Sequence, residues 1–336
     1  MKFKKIAALS TAVIMSASML VGCGNNKSKE NTDKSFKIGM VADIGGINDE
    51  SFNQSAWEGL QKAEKDFGIE VKVIESKQAS EYLQNMESLL DEDVDMVIGV
   101  GYTMKEDIEK QAKNYPDKQF VLIDETYDSI PENVTPILFR ENEAAYLTGL
   151  VAGKMTENNN VGFIGGIQTP VISRFEYGYK AGVKEANKDC NVNVQYAGTF
   201  SDAAKGKSIA NQMYGNGSDI ILAAAGGTGL GSIESAKEQN KYAIGVDRDQ
   251  SDLAPKNVLT SALKKVNVGV YDTVKEFVEG KLTGGQEKVY GLKEDGVGIP
   301  ETTKNLVPQD IIDYVNSMIE KIKNDEIKVP SNEETP

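Results

Sequence analysis

At 336 residues, with 40% apolar and 26% charged side chains, the chain is long enough for two globular domains, each with its own core. A net charge of −14 sets it against nucleic acid, because a polyanion would be repelled rather than drawn in by counterion release. Histidine is absent, which excludes Ser-His-Asp and Cys-His nucleophile systems, HExxH zinc sites and imidazole bases; catalysis would fall to carboxylates, lysines or a cofactor.

The chain opens with Lys2, Lys4 and Lys5, followed by the uncharged, largely apolar run Ile6 to Leu20. This is the pattern of an export signal. The run is shorter than the ~20 residues that span a bilayer. It ends in Leu20-Val21-Gly22-Cys23, which resembles the bacterial lipobox. That resemblance implies cleavage before Cys23 and acylation of its sulfur and new amino group, hence a lipid anchor on the extracytoplasmic face of the cell membrane. Cleavage removes three lysines and no acid, taking the net charge from −14 to −17. Residues 24–35 (GNNKSKENTDKS) offer nothing apolar to pack and are expected to form a disordered tether. Cys23 and Cys190 are the only cysteines, so no disulfide framework is written here. Cys190 sits in a polar stretch and is read as incidental.

From Ser35 onward, short apolar runs alternate with amphipathic helical patterns, the signature of parallel α/β architecture. The expected strands are Lys37–Val41, Glu70–Ile74, Met96–Val100, Phe120–Asp124, Val161–Gly165, Asp219–Ala223 and Tyr242–Asp247. The pattern repeats. Ile38-Gly39-Met40-Val41 recurs as Val161-Gly162-Phe163-Ile164, 123 residues on. Phe52 and Gly59 recur as Phe175 and Gly182 at the same offset, each pair on a helix that opens with a capping-box pattern (Ser51 to Gln54, Ser173 to Glu176). Asp95 to Ile98 recurs as Asp219 to Leu222, and Val121 to Asp124 as Ile244 to Asp247. Four matches in order at nearly one offset predict two similar doubly wound parallel-sheet lobes.

Ligands of open parallel sheets bind beyond the carboxyl ends of the strands. Phe52 and Phe175, placed in the first turn of equivalent helices, and Asp124 and Asp247, each ending a strand, would all lie at that edge. A cleft between the lobes would receive two aromatics and two carboxylates by symmetry. Each has a plainer reading. Phe52 continues a stripe through Ala56, Leu60, Ala63 and Phe67 and could be core; the aspartates could be helix N-caps; Lys264 could be solvated like Lys265. Trp57 reads as packing.

The run Asp43-Ile-Gly-Gly-Ile-Asn-Asp49-Glu-Ser51-Phe52-Asn53-Gln54-Ser-Ala-Trp57-Glu-Gly59 closely resembles the opening motif of the basic membrane protein family. These lipoproteins are similar to the purine-nucleoside receptors of ABC transporters. Arg174-Phe175-Glu-Tyr-Gly178, Gly226-Gly227, Gly245 to Gln250 and Thr260 to Lys264 extend the resemblance over nearly the whole mature chain. It implies a type I periplasmic-binding-protein fold with hinge strands between lobes, and hinge closure without covalent chemistry. Phe52 and Phe175 would sandwich a base, Asn53 and Asp124 bond its edge, and Asp247 and Lys264 take the ribose hydroxyls, with the backbone at Gly227 nearby and Asp49 a further contributor. The implied partners are a membrane permease and its cytosolic ATPase; no cofactor is implied, and the chain is read as a monomer.

The lobes are expected over 36–138 plus about 264–292, and over 139–263 plus about 293–330. Three rivals remain at this stage. The same fold could hold a sugar or another ribosylated ligand. Asp49, Asp124 and Asp247 could form a carboxylate-based nucleoside hydrolase. Gly226-Gly227-Thr228-Gly229-Leu230-Gly231 imitates a dinucleotide fingerprint, though spaced GxGxG and not in the first βαβ unit. Asp247, Asp249 and Asp252 lack the glycine and glutamate of a calcium loop, so no metal is expected.

Overall fold

Short runs rich in Val, Ile and Met become strands buried on both faces, and the amphipathic segments between them cover those faces. The computed structural model describes residues 36–332; the export segment, Cys23 and the tether to Ser35 lie outside the described residues. The first half alternates β1 (Lys37–Ala42), α1 (Phe52–Phe67), β2 (Glu70–Glu75), α2 (Tyr82–Asp91), β3 (Met96–Val100), α3 (Lys105–Asn114), β4 (Gln119–Ile123) and β5 (Val134–Phe139). Helix α4 (Glu141–Met155) leads into the second half: β6 (Asn160–Gly165), α5 (Pro170–Ala186), β7 (Asn191–Tyr196), α6 (Ala203–Gly215), β8 (Ile220–Ala224), α7 (Gly227–Gln239), β9 (Tyr242–Asp247) and β10 (Val258–Lys264). Then follow α8 (Val266–Val278), β11 (Lys288–Tyr290), β12 (Val297–Gly298) and α9 (Gln309–Lys323). Every expected strand is present to within one residue at either end.

The two sheets have the same strand order. One runs β11-β5-β4-β3-β1-β2 and the other β12-β10-β9-β8-β6-β7. All neighbours are parallel except β12, which is antiparallel to β10. The chain passes between the lobes three times: from β5 into α4, from β10 into α8, and from β11 to β12. Helix α4 packs on α5 of the second lobe, and α8 packs on α1 of the first. One continuous core joins alternate residues of both sheets to these helices, Ile38 and Met40 from one and Phe163 and Leu222 from the other. Val41, Val97 and Phe120 face α2 and α3 on the outer side of the first lobe. Ile164 and Ile221 face α6 and α7 on the outer side of the second.

Three local expectations are corrected. Ser51 does stand at the N-cap of α1, but its hydroxyl makes no cap bond; it is donated to Asp247 of the other lobe. Asp49 caps the helix instead. In the second lobe α5 begins three residues before Ser173, at Pro170, with Thr169 Oγ1 accepting the Ile172 N–H at 3.3 Å. Phe175 therefore lies in the second turn, not the first. Cys190 is fully buried in the core rather than idle in a polar loop, and burial pushes its thiol up.

Candidate functional site

The carboxyl ends of both sheets open on one cavity, with about 690 Å³ of empty space including its open mouth. All eight residues singled out in the sequence line it: Asp49, Phe52, Asn53, Asp124, Phe175, Gly227, Asp247 and Lys264. The α1 stripe divides as its spacing allows. Ala56, Leu60 and Ala63 enter the core, while Phe52, at the helix start, stays half-buried on the cavity wall. Phe175 is 2% exposed and shows its remaining surface to the same space.

Asp124 and Asp247 cap no helix. Asp124 opens the irregular link to β5, and Asp247 ends β9 before a short loop. Both adopt the left-handed backbone region, at φ 72° and 64°. Aspartate tolerates that region better than most side chains, and here it turns the carboxyl off the strand line. Asp247 accepts the Ser51 hydroxyl, and Asp124 takes the Lys264 ammonium, so each carboxyl bridges to a group from the opposite sheet or its helix.

Lys264, at the end of β10, is 2% exposed. An ammonium so deep requires a partner. Burial works against its charge, but Asp124, Asp247 and Glu141 outweigh that and hold its pKa above the ordinary lysine value. Its Nζ also stands 4.5 Å from the centroid of the Phe52 ring and 5.5 Å from that of Phe139. Behind it, the fully buried Glu141 accepts from Arg174 Nε at 2.7 Å, and its other oxygen has no partner. Burial pushes the Glu141 carboxyl up, against the pull of Arg174 and Lys264.

Asp49 and Asn53 line the cavity and are also bonded into its framework. Asp49 accepts the backbone N–H groups of Ser51, Asn53 and Gln54 at 2.9–3.1 Å, closing the start of α1. Asn53 Nδ2 donates to Asp43 at 2.7 Å and to Asp49 at 3.0 Å, and its Oδ1 accepts the Asp43 N–H at 3.0 Å. Asp43 was not among the sequence candidates, although it follows β1 at the carboxyl edge and the edge rule could have found it. Burial raises its pKa to about 6, despite bonds from Gly45 and Asn53. Burial likewise raises Asp247 to about 6, against the pull of Lys264 and Ser51. Gly101 holds φ 113°, a backbone conformation that side chains rarely adopt; a Cβ there would only touch Asp43 Oδ2 and Phe52 at ordinary contact distance. Phe200 and Tyr102 also line the cavity. Phe200 comes from a loop after β7 with no motif around it, and no sequence signal marked it.

The glycines of the 226–231 run have structural duties. Gly226 caps α7 at φ 53°, and a Cβ on Gly231 would lie 1.8 Å from the Ala203 carbonyl where α7 crosses α6.

A family model for Bmp, described as ABC transporter substrate-binding protein PnrA-like, matches residues 36–333. The chain is 39% identical to a CD4+ T-cell-stimulating antigen of Listeria monocytogenes, over 97% of this chain and 99% of that one. It is 38% identical to an ABC transporter nucleoside-binding protein of Lactococcus lactis, over 98% and 99%. Among solved structures, an ABC transporter solute-binding protein from Aeropyrum pernix superposes with a TM-score of 0.82 at 27% identity, covering 89% of this chain and 94% of that one.

Proposed function

The chain belongs to the Bmp family of ABC transporter substrate-binding proteins, and from that premise we propose that its ligand is a nucleoside, a purine nucleoside first. The family's proteins bind and deliver; they are not enzymes, which removes the hydrolase and nicotinamide readings. A permease and ATPase are therefore its partners, and a small molecule its cargo. We further propose that export and acylation at Cys23 hold it to the membrane.

One observation carries the nucleoside reading: a cavity walled by Phe52 and Phe175 in which carboxylates abound and the sole lining cation, Lys264, is already paired. Aromatic walls suit a flat base, whose stacking is worth roughly 1–3 kcal/mol. Carboxylates suit the hydroxyls of a ribose, at about 1.5–3 kcal/mol for each charge-assisted bond. After association costs, micromolar binding, about −8 kcal/mol, is within reach. The Asn53 amide is spent on Asp43 and Asp49, so we assign the base edge to Asp43 and Asp124, with Asn53 and Asp49 holding them. Asp247 and Lys264 take the ribose. The relative named as nucleoside-binding supports the same choice.

A cavity with this excess of acids repels phosphate. In thermal-shift titration, adenosine, guanosine or inosine at about 100 times Kd is expected to add about 2.7 kcal/mol, a rise of several degrees. The matching 5′-monophosphates are expected to add nothing. A response to a free sugar with none to any nucleoside would overturn the reading in favour of the same fold with a sugar ligand.

A further inference from the structure

We propose that Arg248, Glu50 and Glu58 form a salt-sensitive clasp that sets how long the lobes stay closed, without touching what lies between them. None of the three lines the cavity. Arg248 follows β9 of the second lobe; Glu50 precedes α1 of the first lobe and Glu58 lies on it. The guanidinium spans the gap with one nitrogen to each acid, Nη1 to Glu50 Oε2 at 2.7 Å and Nη2 to Glu58 Oε1 at 2.8 Å. A planar fork of fixed donors suits two acceptors at once.

Both sides are braced. Gln54 Nε2 donates to Glu58 Oε1 at 3.3 Å, and Gln54 Oε1 accepts the Glu50 N–H at 3.2 Å. Glu50 holds φ 51°, a conformation that costs a non-glycine residue and persists only where its surroundings impose it. Gln250 of the second lobe holds it from across the gap, its Nε2 donating to the Glu50 carbonyl at 2.8 Å. Gln250 is 5% exposed and fixed in turn by the Val246 N–H and Ser261 Oγ. Opening the lobes breaks these three bonds together, beside the buried ones from Ser51 to Asp247 and from Lys264 to Asp124. The Arg248 side chain is 24% exposed and its partners 45% and 40%, so dissolved salt reaches the clasp.

The proposal rests on the two lobes being the jaws of a binding protein, and not on which ligand they take. Its test needs no ligand. Small-angle scattering of the ligand-free full-length protein would be compared at about 10 mM and about 1 M ionic strength, where charges are screened over about 30 Å and about 3 Å. The wild type is expected to be compact at low salt and to expand at high salt. R248A is expected to be expanded at both, its closed-to-open ratio at low salt lower by about 2- to 30-fold, the effect of two partly exposed pairs. E50Q/E58Q should behave as R248A does. Overlay of either variant on the wild type at low salt, or a wild type indifferent to salt, would overturn the clasp. A failed nucleoside titration would leave it standing.

Discussion

Asp247 sits where a carboxylate is costly to the fold and, in the proposed nucleoside site, useful to a ligand. Its folded pKa, raised by burial from 3.8 to about 6, means that the folded chain holds the proton more tightly than the unfolded one. Its contribution to stability is therefore fully present below 3.8 and is lost as pH rises through about 6. Asp43 follows the same course, also from 3.8 to about 6. A ribose hydroxyl needs the carboxylate, so affinity should run the opposite way, falling by up to about tenfold per pH unit below the raised pKa. Calorimetric titration with inosine across this range, beside melting of the ligand-free protein, reads both trends. Asp247→Asn should raise the ligand-free melting point at neutral pH, by about 1–3 kcal/mol of stability, while weakening nucleoside binding and flattening its pH profile. Asparagine tolerates the left-handed backbone at this position, so folding is not the variable. The site was largely legible because its residues sit at strand ends and helix starts marked by a repeat. What stayed hidden was how their hydrogen bonds are shared. Spacing could not tell that Asn53 spends its amide on Asp43, or that Phe200 swings in from an unmarked loop.

Gly59 and Gly182 recur at the common offset in the sequence, and packing explains them. A Cβ on Gly59 would lie 2.4 Å from the Asn267 carbonyl of α8; one on Gly182 would lie 2.0 Å from the Tyr146 carbonyl of α4. Helices α8 and α4 are the ones that arrive from the opposite lobe, and each lies against the first helix of its new lobe at a glycine. Gly182→Ala should therefore force backbone apart and cost about 1–3 kcal/mol. Gly215→Ala, at the end of α6 with nothing near its Cβ, should be close to neutral. Melting curves of the two variants test this, and equal midpoints would contradict it. Strand β5 was not legible for a related reason. Its Pro136 argues against an interior strand, since proline cannot donate to a ladder. The structure accommodates it because β11 pairs only from Ile137 onward, so Pro136, though buried, has no ladder partner on that side. Strands β11 and β12, three and two residues long, carry too little pattern to be read at all.

At the scale of the whole molecule, two sheets of one strand order place their carboxyl edges toward a common space, and the function of a transporter's binding protein follows from that placement. Among the described residues no helix is long and apolar enough to cross a membrane; attachment through Cys23 is the proposal made above. Radiolabelled palmitate fed to the producing cells should label the wild type and leave Cys23→Ala unlabelled; a wild type that takes up no label would refute the anchor. The three passages of chain between the lobes restrict what the jaws can do. A single connection would let them swivel freely, whereas three side by side behave like a door hung on three pins, free to swing and unable to wring. They also make the protein tolerant of injury. A protease that nicks one passage leaves two intact, so the severed chain is expected to hold its halves together and to keep capturing its cargo.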